Sequence, residues 1–215
     1  MTDQPGPPGN HVSAPLFSRS WVCVMSPLLE KLGLAKARRR LVAGLHGTVV
    51  EVGAGDGVTF EHYPPEVTRV VAVEPDPHLR DHARERAARA PVPVEVMDAV
   101  AEALPLTDGE ADAVVFGLVL CTVPDVPAAL AEARRVLGPD DVVRLLEHVR
   151  PDGALGRVTD RIAPVWGLLG GGCRPNQNTG ALLAEAGLDT ADLHTRPFPP
   201  VVPLMPMLSG TARGG

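Results

Sequence analysis

Glycines 53, 55 and 57 directly follow the strand-like run Val49-Val50-Glu51-Val52, giving Val-Glu-Val-Gly-Ala-Gly-Asp-Gly. Alternating glycines let a backbone turn sharply and approach a ligand without an intervening side chain. A helix is expected directly after the turn, with its amino-terminal amides aimed at the same place. The G-x-G-x-G spacing departs from the G-x-G-x-x-G/A pattern of dinucleotide sites, which makes a nicotinamide cofactor the second choice. Twenty-one residues after Gly53, Glu74 closes another apolar run in Val-Glu-Pro-Asp. A carboxylate there can accept both hydroxyls of a ribose. Together these features point to an adenosine-type ligand; the alternative is a tight strand-helix turn beside a solvated acid.

Further along, His148 stands beside Glu147 at the end of a fifth apolar run. Strand ends of this kind face a ligand crevice and histidine titrates near neutrality, so His148 is a candidate base, with a structural histidine as the alternative. Cys173, in Gly-Gly-Gly-Cys-Arg, is read as pocket lining, a lone thiol with no second cysteine nearby. Arg174 either attracts an anionic substrate or is an ordinary surface arginine. Val165, Trp166 and Leu168 would form a pocket edge with little polar recognition. His62 and Tyr63 either cover the ligand or pack against the first helix.

The elements that must position these residues alternate along the chain. Val49–Val52, Val70–Val73, Val92–Val96, Ala113–Leu120 and Val142–Leu146 are apolar on both faces, as buried parallel strands are. Helical stripes separate them at 78–90 and 126–137, the second stopped by Gly138-Pro139. A helix from about Leu155 to Leu169 should kink or divide at Pro164. A short helix near 181–186, capped by Asn178 or Thr179, precedes two strands near 191–196 and 208–213. The sum is an α/β fold: a Rossmann-like, mostly parallel, seven-stranded sheet with helices on both faces and an antiparallel last strand.

The chain's 215 residues suit one ordinary domain, and 45% hydrophobic with 21% charged residues describes a folding sequence. A net charge of -6 offers no field for a phosphate backbone, which disfavours nucleic acid as a partner. The three cysteines form no C-x-x-C pair, so neither a disulfide framework nor a zinc cluster is expected and a reducing cytoplasm fits. The start has no signal-peptide pattern, and Pro27, Glu30 and Lys31 interrupt the most apolar stretch, so no membrane span is expected. Residues 1–16 read as a tail, 17–48 as a helical cover over the substrate side and 49–215 as the core. Arg38 to Arg40 read as a solvated helix face, with weak contact to a membrane surface as the alternative. Nothing in the sequence sets the oligomeric state.

From Val49 to Val149 the sequence resembles class I S-adenosylmethionine-dependent methyltransferases. The resemblance assigns Glu51, Gly53, Ala54, Gly55 and Gly57 to the loop on the methionine part, Glu74 to the ribose and Pro75 to the adenine side. Met97-Asp98-Ala99 with Glu102-Ala-Leu-Pro105 is similar to the family's D-A-x-x-L-P turn. There Asp98 would accept from the adenine amino group and Ala99 would donate its backbone N–H; a simple cap is the other reading of Asp98. Leu118, after the fourth strand, would lie beside the transferable methyl.

A narrower similarity links Glu61-His-Tyr-Pro-Pro65, Leu118 to Val123, Glu147-His-Val149 and Gly172-Cys-Arg-Pro-Asn176 to small animal methyltransferase-like proteins that methylate thiols. Those proteins carry a long hydrophobic amino-terminal anchor without a counterpart here, and their Pro-Gly-Gly turn reads Gly138-Pro-Asp-Asp141. The resemblance implies methyl transfer from S-adenosylmethionine to a small-molecule acceptor, a thiol first, with oxygen, nitrogen or carbon acceptors as alternatives. No metal is implied. His148 would take the thiol's proton, and Trp166, Cys173 and Arg174 would meet the substrate. The rival classes are a non-catalytic S-adenosylmethionine-binding module and an NAD-dependent oxidoreductase.

Overall fold

The computed structural model describes residues 25–169, 172–197 and 206–214. One sheet is built from β1 (Gly47–Val52), β2 (Val67–Val73), β3 (Val94–Met97), β4 (Ala111–Gly117), β5 (Leu137–His148), β6 (Leu188–Asp189), β7 (Leu193–Pro197) and β8 (Pro206–Gly214). Its order is β3-β2-β1-β4-β5-β8-β6, with β7 also on β8. The pairs from β3 to β5 are parallel, and β8 runs antiparallel to β5, β6 and β7. Because β5 takes one edge of β8, β6 and β7 lie in series along the other. The predicted seven positions therefore exist, with the seventh split by a turn in which the Asp189 carboxylate accepts from Ala191 N.

Alternate residues of a strand point to opposite faces, and here both faces are buried. Val50, Val52, Val71, Val73, Val114 and Phe116 enter one apolar cluster, while Val49, Val70, Ala72, Ala113 and Val115 enter another. Helices α1 (Ala35–Val42) and α2 (Pro77–Ala87) cover the second face. Helix α3 (Val126–Val136) covers the first, α4 (Gly153–Leu169) follows β5, and α5 (Thr179–Glu185) joins α3. Asp76, Asp125 and Asn178 cap α2, α3 and α5 through side-chain oxygens that accept from backbone amides.

Four expectations are corrected. No α-helix follows the glycine turn; a single 3-10 turn, Phe60–His62, stands there. Pro64-Pro65 comes too soon, because a residue before proline is driven out of the helical region, and Tyr63 is extended at φ -62°, ψ 132°. Pro164 does not divide α4, which runs on through it; the carbonyl that loses its partner belongs to the exposed Asp160. Gly138-Pro139 does not lie outside the strand: β5 starts at Leu137 and shifts register before Val142, with Gly138 N bonded to the Asp141 carboxylate at 2.7 Å. Arg38 is not part of a solvated face; it is buried, donating to Glu30 at 3.0 Å and Thr59 Oγ1 at 3.1 Å. Among the described residues no helix is long and apolar enough to cross a membrane. Residues 1–16, Phe17, Trp21 and Cys23 lie outside the described residues.

Candidate active site

The strand order reverses between β1 and β4, and ligands of open parallel sheets bind outside the carboxyl ends at such a point. Gly53, Gly55 and Gly57 all have positive φ there, at 63°, 59° and 79°. Their surroundings differ. A Cβ on Gly53 would stand 2.1 Å from Val119 Cγ2, and one on Gly57 would stand 2.6 Å from Phe60 Cε2; one on Gly55 would meet nothing within 4 Å among the described residues. The outer two glycines are demanded by packing, whereas Gly55 opens onto space. Ala54 N donates to Val73 O at 3.1 Å, tying the loop to β2.

Glu74 shapes this loop as well as facing it. Its carboxylate accepts from Gly55 N at 2.8 Å and from Asp76 N at 2.9 Å. Burial pushes its pKa up to about 7, against the pull of those two amides. Arg80 donates to the carbonyls of Glu74 and Pro75 and grips Asp98 with two bonds of 3.0 and 2.9 Å. Asp98 is thus held at the end of β3 by Arg80, and its side chain remains 69% exposed. Ala99 is half-buried against the core. Glu51 is buried in β1, its carboxyl raised above the ordinary range by desolvation and restrained by the Tyr63 hydroxyl, which donates at 2.8 Å. From the amino-terminal segment, Ser26 Oγ donates to Asp56 in the glycine loop at 3.1 Å.

On the other side of the switch point, Leu118 has φ 64°, unique among described non-glycine residues. That conformation costs roughly 1–2 kcal/mol, and strain of this kind concentrates at functional sites. Its amide donates to Leu146 O at 2.7 Å. The chain then turns so that Val119 N and Leu120 N both donate to Glu147 Oε1, at 2.9 and 3.0 Å. Glu147 is fully buried, and burial drives its pKa up to about 7 against those amides. Among the described residues, its Oε2 and the buried Nδ1 of His148 have no hydrogen-bond partner.

The reading of Cys173 as a lone thiol is overturned. Cys121 and Cys173, both buried and free, lie with a ring nitrogen of His148 such that the three ligand atoms are within 4.8 Å of one another. The Cys121 thiol donates to Cys173, which draws the Cys173 thiol down and pushes Cys121 up; His148 and Trp166 also favour the Cys173 thiolate. Arg174 ties this loop in place: its amide donates to Cys121 O at 2.8 Å, and its guanidinium to the carbonyls of Cys121 and Val123. Gln177 Nε2 adds a bond to Leu120 O at 3.1 Å. Val165 and Trp166 are exposed on α4.

A family model for a methyltransferase domain matches residues 50–145. Thiol S-methyltransferase TMT1B of Homo sapiens is 32% identical over 205 residues, spanning 89% of this chain and 83% of that protein. The chain belongs to the S-adenosylmethionine-dependent methyltransferases. The Rattus norvegicus thiol S-methyltransferase TMT1B is 31% identical over 172 residues, covering 77% of this chain and 70% of its own. Among solved structures, a Thermotoga maritima SAM-dependent methyltransferase, described as a possible histamine N-methyltransferase, superposes with a TM-score of 0.61. It covers 95% of this chain and 92% of its own at 22% identity, which speaks for the fold alone.

S-adenosylmethionine fits the residues present: the open space at Gly55 lies beside a buried carboxylate whose oxygens are already aimed by two amides. Sequence reasoning gave no role to Arg80, Cys121 or Glu147, and of the two readings left open for Tyr63 neither included the bond its hydroxyl makes to Glu51. Arg80 carried a signal, four residues after the Asp76 cap on the helix that starts beside Glu74. Cys121 carried none, since Cys173 lies 52 positions further along the chain.

Proposed function

We propose that this methyltransferase acts on a small, rather apolar thiol, held where the loop after β4, the end of β5 and the loop after α4 converge. The likeness to the human thiol S-methyltransferase carries the reading, because its 89% coverage of this chain extends well beyond the methyltransferase-domain match. The sulfur-lined cluster of Cys121, Cys173 and His148 at that convergence supports it.

When bound, S-adenosylmethionine supplies a methyl group already activated on a sulfonium. The chain's own residues bind, orient and exclude water. Glu51, Gly53, Ala54, Gly55 and Gly57 shape the methionine side; Glu74 accepts from the ribose; Pro75, Asp98 and Ala99 frame the adenine; Leu118 sets the floor beside the methyl. Residues 25–42 form part of a cover, supported by the Ser26 bond to Asp56 and by Leu41 beside Gly117. Trp166, Cys173 and Arg174 border the acceptor. Thiolate and sulfonium neutralise each other as they react, which an apolar pocket favours. The pocket opposes forming the thiolate at the outset, and His148 is the side chain that lowers that cost. Alignment at about 3–3.5 Å supplies several kcal/mol of the remaining barrier. Two free cysteines in mutual reach suit a reducing cytoplasm.

The test is incubation with S-adenosylmethionine and a panel of thiols, with both products followed by mass. One S-adenosylhomocysteine per methyl thioether is expected. Cofactor binding with no S-adenosylhomocysteine from any acceptor would leave a binding module instead.

A further inference from the structure

We propose that Cys121, His148 and Cys173 hold a zinc ion whose open fourth position takes the acceptor sulfur. This rests on the thiol reading above and assigns His148 to the ion in place of the role of base, so that the ion and not the imidazole ionises the acceptor.

The three donors come from three separate elements: the loop after β4, the end of β5 and the loop after α4. Their ligand atoms lie within 4.8 Å of one another, and both cysteines are buried. A triangle with sides of 4.8 Å, the upper limit here, places a central ion about 2.8 Å from each atom; zinc needs roughly 2.0–2.3 Å, so an inward shift of well under an ångström per side chain suffices. Two thiolates and an imidazole suit zinc and reject magnesium or calcium, which prefer oxygen. Three protein ligands with one position left open is the arrangement of catalytic zinc, whereas structural zinc is closed by four.

Two further observations point to a ligand. Among the described residues, Nδ1 of His148 and Oε2 of the adjacent Glu147 are buried polar atoms without a hydrogen-bond partner, whereas Glu147 Oε1 is satisfied by two amides. The two loops that carry the cysteines are also fastened to each other through Arg174 and Gln177, so both sulfurs are held in fixed relation. A site that is preorganised in this way loses little on binding an ion.

The chemistry balances without an oxidant or reductant. The acceptor R–SH coordinates the ion and its proton leaves to solvent, because a metal-bound thiol is deprotonated. The acceptor sulfur donates an electron pair to the methyl carbon, forming S–CH3. The bond from that carbon to the sulfonium breaks, and its electron pair stays on the sulfur of S-adenosylhomocysteine. The product thioether, neutral and a weaker ligand than a thiolate, then leaves the fourth position.

The experiment titrates the reduced, metal-free full chain with Zn2+ and, for a spectroscopic record, with Co2+. One ion per chain is expected, with a thiolate-to-cobalt charge-transfer band. Cys121→Ser and Cys173→Ser should each weaken Zn2+ binding by more than the roughly 10–100-fold cost of an outer-shell change, while still binding S-adenosylmethionine. The chelated wild type should keep S-adenosylmethionine binding, lose thiol turnover and regain it with Zn2+. No uptake by the reduced wild type beyond that of a Cys121→Ser/Cys173→Ser double variant would overturn the site. Undiminished thiol methylation by the chelated protein would overturn the zinc-held acceptor and leave the thiol reading intact. If the ion binds as described and no thiol is methylated at all, the thiol reading itself fails and the acceptor role of the ion falls with it.

Discussion

The glycine turn offers a contrast within a single motif: Gly53→Ala should damage the fold, and Gly55→Ala should damage cofactor binding. Both residues are left-handed, at φ 63° and 59°, so alanine costs each about 1–2 kcal/mol of backbone strain. At Gly53 the added carbon would also stand 2.1 Å from Val119 Cγ2 and 2.9 Å from Val119 Cβ. Rotating one methyl away does not relieve the second contact, and overpacking of this kind adds roughly 1–3 kcal/mol. The total of about 2–5 kcal/mol converts, at roughly 2–4 °C per kcal/mol for a chain of this size, into a Tm loss of about 4–20 °C. At Gly55 none of the described residues lies within 4 Å of the new carbon, so the strain alone should lower Tm by about 2–8 °C. The new methyl would instead occupy cofactor space and weaken S-adenosylmethionine by at least about tenfold, or 1.4 kcal/mol. Thermal melts and calorimetric titration of the two variants read both effects. If Gly55→Ala bound the cofactor like the wild type, or if it melted below Gly53→Ala, the assignment of open space to the ligand would be wrong.

Three further outcomes follow from named contacts. Glu74, facing Asp76 and Arg80, has its pKa raised to about 7 by burial, so its protonated form dominates below that pH in the free protein. Ribose hydroxyls donate to the ionised form; the cofactor should bind about tenfold more weakly at pH 6 than at pH 8, and calorimetry should find this extra pH dependence gone in Glu74→Gln. The stability sign is opposite: the folded state holds the proton longer than the unfolded one, so Glu74 makes the free protein less stable as pH rises from about 4.5 to 7. Arg80→Ala frees the Glu74 and Pro75 carbonyls and Asp98 at once, and denaturant melts should show a loss of about 2–3 kcal/mol with weaker cofactor binding. Glu147→Ala strands two buried amides and should cost about 2–4 kcal/mol, while Glu147→Gln, which keeps an oxygen for Val119 N and Leu120 N, should stay within about 1 kcal/mol of the wild type in the same melts.

What could be read from the sequence was what neighbours in sequence determine. The runs Val49–Val52 and Val70–Val73 announced buried parallel strands because β-branched residues on both faces have few other uses. The glycine turn and Glu74 lie one strand and one connection apart, a separation that the β-α alternation itself fixes. Tertiary encounters were not legible: Cys121, His148 and Cys173 meet because β4, β5 and the loop after α4 end at the same place, and no local pattern encodes that. The missing first helix was legible in principle, since Pro64-Pro65 leaves too little chain after Gly57. Asp98 shows an intermediate case; its turn motif was visible, while its grip by Arg80 depends on α2 lying against β3. The strand predicted near 191–196 stands as β7, and the short β6 ahead of it is separate because Asp189 satisfies a backbone amide with its own side chain, an Asx turn that interrupts the ladder.

The most direct test of the central claim is a competition among acceptors at equal concentration: an apolar thiol, a phenol, a catechol and an amine of similar size, with S-adenosylmethionine carrying a deuterated methyl. Mass analysis of the products reads the choice in one mixture. The account predicts that the deuterated methyl appears mainly on sulfur, as a thioether formed in step with S-adenosylhomocysteine. A dominant methylated phenol, with every thiol at background, would contradict it and leave a methyltransferase of another acceptor class.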